Sequence, residues 1–358
     1  MPNFAIGVDL GGTNLRIAAV DLEGNLLEKV TTDTEVARGR DNVINEMCDA
    51  IRALAAKFSR GGKCLGAGIG VPGIIDKRTG MLRESPNLPG WDDYPVRDEI
   101  ERHLGTPVIL ENDANSAAYG EAWLGAARGM DDMCMITLGT GVGGGIVLRG
   151  QIWHGMTGMA GELGHMTIDP HGAPCKCGNI GCVEQYASAT GVMRMARAAI
   201  EAGQAPAIAR LAAANDPEFT PRGIFNLAQQ GDGPAKMIFD EVGWALGILM
   251  ADLVNAFNLH MYVIGGGVSG AWSMFSPKMF EEVMKRSMVY AATAPPDHAQ
   301  QTAGASAEVK SMGRRTIITR ALLGSDAGLI GAARLPMIVT DAHQVERAIR
   351  PKKKVVSS

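Results

Sequence analysis

The chain has 358 residues, 46% of them hydrophobic and 20% charged, with a formal net charge of −4. A chain of this length buries enough apolar surface for two medium domains without disulfides, and its charge excludes bulk electrostatic recruitment to nucleic acid or membrane. Met1-Pro2-Asn3 leads straight into an apolar run without a basic leader, and no stretch reaches the ~18 apolar residues of a membrane span, so the expected location is the cytosol.

Phe4 to Leu10 reads as a strand ending in a Gly-Gly turn, Leu15 to Val20 as a second strand and Leu26 to Thr32 as a third. Val43, Ile44, Met47, Ile51 and Leu54 recur at helical spacing and predict a helix over 41–58. Cys64 to Val71 is a buried strand running into Pro72-Gly73. Val96 to Leu104 predicts a short helix, and Val108 to Leu110 a strand delivering Glu111-Asn112-Asp113 at its carboxyl end, ahead of a helix over 114–124. Met133 to Leu138 and Gly144 to Leu148 flank a glycine-rich turn and echo the N-terminal strand-turn-strand plan. From Thr190 the pattern is helical, with a loop around Asp216 to Thr220 and a long helix ending near Leu259. Strand Met261 to Ile264 then runs into Gly265-Gly266-Gly267. A last Ala- and Gly-rich helix near Asp326 to Arg334 suits packing back on the N-terminal region. Pro351-Lys352-Lys353-Lys354 falls in a polar tail expected to be partly disordered and solvated.

Asp9-Leu10-Gly11-Gly12-Thr13-Asn14 places a carboxylate at a strand end before two glycines and a hydroxyl. This suits backbone N–H groups wrapped around phosphate oxygens, with the carboxylate toward Mg²⁺; an ordinary polar hairpin is the competing reading. Leu138-Gly139-Thr140-Gly141-Val142-Gly143-Gly144-Gly145 repeats that chemistry, and two such hairpins can grip a triphosphate. Neither is a P-loop, because no Gly-Lys-Ser/Thr follows, and a strand rather than a helix follows the glycines, which excludes the dinucleotide fingerprint. Gly265-Gly266-Gly267 lets backbone approach a flat ligand, for which adenosine is the natural candidate. Cys48, Cys64 and Cys134 read as buried thiols. Cys175, Cys177 and Cys182 with His165 make a Cys₃His set suited to tetrahedral zinc, while reduced loop thiols, or a redox pair at 175 and 177, remain open on spacing alone.

These motifs, with Asn112-Asp113-Ala114-Asn115 and Gly161-Glu162-Leu163-Gly164-His165, resemble the sugar kinases of the actin-like ATPase superfamily. Within them they resemble the ROK family, especially its bacterial glucokinases, from residue 4 to about 335. The resemblance implies a two-lobed α/β fold of the ribonuclease-H-like type with a central cleft as active site. The small lobe is expected at 1–115, with a C-terminal helix of about 324–336 packing back on it, a larger lobe with a zinc loop at 116–323, and the tail at 337–358. Lobe closure is expected to exclude water from the reacting phosphate. Asp113 is the implied catalytic base for the sugar hydroxyl, with a plain helix N-cap as the alternative role. Gly73, Asn87, Asn112, Asp113, Glu162, His165 and Glu184 match sugar-contacting positions, although Gly73 and Asn87 also read as turn residues. ATP with Mg²⁺ is implied at Asp9, Gly11, Gly12, Thr13, Asn14, Gly139, Thr140, Gly141, Gly143, Gly265, Gly266 and Gly267. Structural Zn²⁺ is implied at His165, Cys175, Cys177 and Cys182, fixing the loop that carries Glu184.

Ser85-Pro86-Asn87-Leu88 with Trp91, and Glu111 to Ala118, look like bacterial glucokinase segments, so the expected reaction makes glucose 6-phosphate. The alternatives are a kinase for another hexose or an N-acetylhexosamine, a polyphosphate donor, a nucleotide-gated ATPase, and a sugar-responsive ROK regulator. The regulator is expected to need a helix-turn-helix ahead of the first strand. Relatives commonly form homodimers or homotetramers, here expected through the helices at 114–128 and 236–260; no nucleic acid or membrane partner is expected.

Overall fold

The computed structural model describes residues 2–85, 87–213, 217–295 and 314–349, with backbone alone from 340. Pro86, Asp216 and the basic run at 351–354 lie outside the described residues. Tertiary contacts divide the chain into a first unit, Met1–Gly120 with Asp326–Ser358, and a second, Glu121–Ser325.

In the first unit, β1 (Phe4–Leu10), β2 (Asn14–Asp21), β3 (Leu26–Asp33), β4 (Cys64–Val71) and β7 (Val108–Asn112) form one sheet in the order β3-β2-β1-β4-β7. β1 is antiparallel to β2 and parallel to β4, which is parallel to β7. β1 is apolar and buried at nearly every position, as a strand covered on both faces must be. α1 (Arg40–Phe58) packs on this sheet through Val43, Ile44, Met47, Ile51 and Leu54, all buried. The long C-terminal helix, α11 (Ala327–Ile349), also packs on β1 and β4. Gly7 and Gly68, paired across the two strands, permit it to lie directly on backbone. A Cβ at Gly7 would fall 2.2 Å from the Leu329 carbonyl oxygen, and one at Gly68 would fall 2.0 Å from that of Ala332. A small hairpin of β5 (Ile74–Asp76) and β6 (Met81–Glu84), and α2 (Val96–Leu104), complete the unit around Trp91, which is fully buried.

α11 continues to Ile349, past the 336 at which the sequence reading ended it. The difference lies at Pro336, which looks like a stop but sits inside the helix and packs on Gly66 and Gly68. Packing on the sheet offsets the hydrogen bond that a proline cannot make.

The second unit repeats the same sheet plan. β8 (Met133–Leu138), β9 (Val142–Leu148), β10 (Gln151–Ile152), β11 (Met261–Gly265) and β12 (Ile317–Arg320) stand in the order β10-β9-β8-β11-β12. β8 is antiparallel to β9 and parallel to β11, which is parallel to β12. Behind it lie α4 (Glu184–Ala187), α5 (Ala189–Glu201), α6 (Pro206–Ala213), α7 (Pro221–Gln229), α8 (Gly233–Phe257), α9 (Trp272–Arg286) and α10 (Met288–Thr293). Ser188, Thr220 and Asp232 cap α5, α7 and α8 by accepting from the backbone N–H groups of Gly191, Gly223 and Ala235. These caps break into several helices what periodicity alone reads as a few. The shared order, an antiparallel hairpin followed by two parallel strands, places a glycine turn at the same end of each sheet. Among the described residues, no helix is long and apolar enough to cross a membrane.

Candidate active site and metal centre

In the first unit, the turn between β1 and β2 closes with the Gly11 N–H donating to the Asn14 carbonyl at 2.9 Å. The Thr34 hydroxyl donates to the Gly11 carbonyl at 2.6 Å, and the Thr34 N–H to the Thr13 carbonyl at 2.8 Å, so β3 braces the turn. Asn87 brings its backbone carbonyl against Gly12, where a Cβ would lie 2.6 Å from it, and is otherwise exposed. Asp9 stands opposite Arg16 in the ladder and accepts from its guanidinium at 2.9 Å. Burial pushes the Asp9 carboxyl above the usual carboxylate range, with Arg16 opposing that shift. Arg16 escaped the sequence reading. Its proximity to Asp9 follows once the turn is known to span Gly11 to Thr13, because the register then sets them face to face.

α3 (Asp113–Trp123) starts where β7 ends. The Asn112 side-chain oxygen accepts from the N–H groups of Ala114 and Asn115 at 2.9 and 3.2 Å, and its amide donates to the Gly73 carbonyl at 3.2 Å. Asn112 therefore caps the helix, and Asp113 is the first helical residue, with one carboxylate oxygen on the Ala114 N–H at 2.9 Å. Beneath this corner lies Glu111, 2% exposed. Its carboxylate accepts from the Asn112 N–H at 3.0 Å, the Asn115 amide at 3.1 Å and the Lys77 ammonium at 2.7 Å. Lys77 was not foreseen, since nothing in the spacing of residues 77 and 111 marks them as partners.

In the second unit, the turn Gly139–Gly141 joins β8 to β9, closed by the Gly139 N–H on the Gly141 carbonyl at 2.9 Å. Thr140 is exposed and Gly143 half-buried. Gly266, at the end of β11, lies against Leu138, the residue before this turn, and Gly266 and Gly267 are exposed. The Glu184 carboxylate accepts from the Val142 N–H at 2.9 Å. Glu162 is exposed, with a carboxylate oxygen 4.0 Å from His165 Nε2.

The other His165 nitrogen, Nδ1, is 3.7 Å from Cys175 Sγ, and Cys177 Sγ is 3.7 Å from Cys182 Sγ. One ligand atom from each of these four residues lies within 4.8 Å of every other. A tetrahedral zinc with ~2.3 Å bonds to sulfur sets thiolates about 3.8 Å apart, so the donor set fits that ion. No disulfide joins these cysteines. Cys177 is exposed, and the Asn179 backbone N–H holds its thiol below the ordinary range, whereas burial pushes Cys182 up to about 12. Asn179, also unforeseen, donates from its side-chain amide to Thr167 at 2.7 Å and to Cys182 Sγ at 3.4 Å. Of the remaining cysteines, burial pushes Cys48 up to about 11 and Cys134 up to about 12, which makes them inert thiols.

The candidate residues thus fall into two sets. Asp9, Gly11, Gly12, Thr13, Asn14, Gly73, Asn87, Asn112 and Asp113 belong to the first unit. The 139–143 residues, Glu162, His165, the three cysteines, Glu184 and the 265–267 glycines belong to the second.

Comparison with known proteins adds the following. The model of the family described as "ROK family" matches residues 5–337. The chain is 40% identical to a glucokinase of Thermotoga maritima over 78% of this chain and 86% of that protein. It is 37% identical to a glucokinase of Halalkalibacterium halodurans over 91% and 92% of the two chains. A xylose repressor of Caldicellulosiruptor bescii is 32% identical over 79% of this chain and 71% of the repressor. Among solved structures, a ROK family glucokinase from Streptomyces griseus in complex with glucose and AMPPNP aligns with a TM-score of 0.70 at 32% identity, covering 93% of this chain and 99% of that one.

Proposed function

This chain belongs to the ROK family, and from that premise we propose that it is an ATP-dependent glucokinase, which transfers the γ-phosphoryl group of ATP to the 6-hydroxyl of glucose. The observation that carries the reading is its 40% and 37% identity to proteins named glucokinase, across 78% and 91% of its length. Its fold, the actin-like ATPase type with the same sheet plan in each unit, agrees with that reading.

Asp113 takes the proton of the sugar hydroxyl as its oxygen attacks the γ-phosphorus and ADP leaves. Asn112 caps α3 in its place and leaves Asp113 at the first helical position. Gly73, Asn87, Asn112, Glu162, His165 and Glu184 bind the sugar hydroxyls, each of which needs a fixed partner to offset the loss of water. The turns Gly11–Asn14 and Gly139–Gly143 receive phosphate oxygens on backbone N–H groups that their closing bonds leave, those of Gly12, Thr13, Thr140 and Gly141, and the open side of Gly267, where a Cβ would meet nothing within 4 Å, receives the adenosine.

Mg²⁺, when bound with the nucleotide, neutralises charge on the β- and γ-oxygens, and Asp9 is the residue that would hold it. Zinc, when bound to His165, Cys175, Cys177 and Cys182, supplies rigidity and no open coordination position. His165 then keeps Nδ1 on the metal side and Nε2 on the Glu162 side. The expected setting is the cytosol, and the expected assembly a homodimer or homotetramer, which light scattering at working concentration tests.

The test of the reaction is ADP release from MgATP with glucose, mannose, fructose, N-acetylglucosamine and N-acetylmannosamine, for the wild type and Asp113→Asn. Asp113-dependent turnover, fastest with glucose, is the expected result. A faster rate with another sugar moves the substrate assignment, and sugar-independent hydrolysis or no turnover overturns the kinase reading.

A further inference from the structure

The two ends of the metal set meet one residue of the glycine turn. On one side, His165 follows Gly164, whose backbone lies so close to Val142 that a Cβ there would fall 2.1 Å from the Val142 carbonyl oxygen. On the other side, Cys182 is followed by Val183 and Glu184, and the Glu184 carboxylate accepts from the Val142 N–H at 2.9 Å. A metal that joins His165 to Cys182 therefore clamps Val142 by both its peptide groups.

The strap from Cys182 to Thr190 is stiff. Val183, Ala187 and Ser188 are fully buried. The Ser188 hydroxyl donates to the Glu184 carbonyl at 2.6 Å and accepts from the Gly191 N–H at 2.9 Å. The strap then returns to the turn a second time. The Ala189 N–H donates to the Gly139 carbonyl at 2.9 Å, and the Thr190 hydroxyl to the Thr140 carbonyl at 2.8 Å. Three residues of the strap thus hold Gly139, Thr140 and Val142, the backbone whose N–H directions decide how a phosphate is received. Space for the carboxylate exists only because residue 141 is glycine, where a Cβ would lie 2.3 Å from Glu184 Oε2.

We propose that Glu184 and Thr190 are positioning residues through which the metal loop sets the shape of the 139–143 turn, and with it the affinity for nucleotide. That this turn meets phosphate rests on the kinase reading above; that it is wired to the metal loop does not. Metal occupancy then governs nucleotide affinity in the absence of any sugar.

The test takes the full chain, with zinc removed by chelator and dialysis or restored by titration, and reads backbone hydrogen exchange over 139–145 alongside MgADP binding by calorimetry without sugar. In the wild type, zinc removal is expected to speed exchange over 141–143 at least five-fold and to weaken MgADP about ten-fold, the scale of one lost charge-assisted hydrogen bond. In Glu184→Ala, exchange at Val142 is expected to be fast with or without zinc while zinc still binds. Exchange over 139–145 that ignores zinc in the wild type, a zinc response that survives Glu184→Ala, or failure of the chain to bind zinc overturns the proposal. If the wild type binds no MgADP, the kinase reading falls, and exchange alone judges the linkage. Should zinc removal unfold the whole unit, seen as fast exchange along α8, Thr190→Val decides with the metal set intact. Faster exchange at Gly139–Gly141 then supports the linkage, and unchanged exchange overturns it.

Discussion

The β1–β2 hairpin of the first unit and the β8–β9 hairpin of the second occupy the same place in the same sheet plan, yet their turns are held by different means. Opposite each other behind the first turn stand Asp9 and Arg16, an ion pair; behind the second, at the matching rung, stand Thr137 and Gly143. The first turn is braced by a neighbouring strand, through Thr34, and the second by the strap from the metal loop, through Glu184, Ala189 and Thr190. A repeated backbone plan therefore does not repeat the chemistry. On the function proposed above, the first unit supplies charge and the proton acceptor at the start of α3, and the second supplies neutral backbone donors on a turn tied to the candidate metal loop.

Four experiments break or sharpen this contrast. The largest effect is expected from Asp113→Asn, which should lower kcat by about 10³-fold, worth about 4 kcal/mol, with the glucose KM changed less than about three-fold. A steady-state comparison checks it, and an equal loss in KM would move Asp113 from chemistry to binding. Next, Gly68→Ala forces a methyl group to within 2.0 Å of the Ala332 carbonyl oxygen and should cost about 3 kcal/mol in urea unfolding by lifting α11 from the sheet of the first unit.

Lys77→Met removes the ammonium group from the buried Glu111 carboxylate. It should cost about 2 kcal/mol, below the ~3–5 kcal/mol of a fully buried broken pair because Lys77 is itself 31% exposed, and should lower kcat with the displaced α3 corner. The smallest effect concerns Asp9. Its folded-state pKa lies above the unfolded value, so the folded state binds more protons, and stability falls as pH rises through the range above 3.8. At neutral pH this cost is fully present. Asp9→Asn should therefore raise Tm slightly at neutral pH, a gain that melting curves should show vanishing as pH falls below about 4. The same variant should lose Mg²⁺-dependent nucleotide binding, so stability and function part at this residue.

What was legible in the chain followed from periodicity and local turn chemistry. α1 is written in Val43, Ile44, Met47, Ile51 and Leu54, and both hairpins in their glycines between apolar runs. The order of the strands in the second sheet was not, because β10 has two residues and β12 four, too short to stand out from loop sequence. The candidate metal ligands announce themselves by residue type, and their convergence is a matter of folded geometry that agrees with the type. Arg16, Lys77 and Thr190 were invisible for a common reason. Each acts on a partner whose proximity is set by register or by a tertiary approach, and no spacing in sequence encodes it. Asn112 shows the converse limit. Asn112 and Asp113 are both suited to cap a helix, and only the backbone direction at the end of β7 assigns the cap to one and the first helical turn to the other.

The way the chain passes between its two units bears on its synthesis. The second unit is one uninterrupted stretch, whereas the first is assembled from residues to Gly120 and from those after Ser325. The Glu121 carboxylate, fully buried at one crossing, accepts from the N–H groups of Leu322 and Leu323 beside the other, so the two crossings are tied together. On the ribosome, the first sheet emerges early and waits for about two hundred further residues before α11 arrives to cover Gly7 and Gly68. During that interval its apolar face is open, while the second unit completes its own core from contiguous chain. The N-terminal portion is the part that nascent-chain chaperones should engage, and α11 is the piece whose arrival ends that engagement.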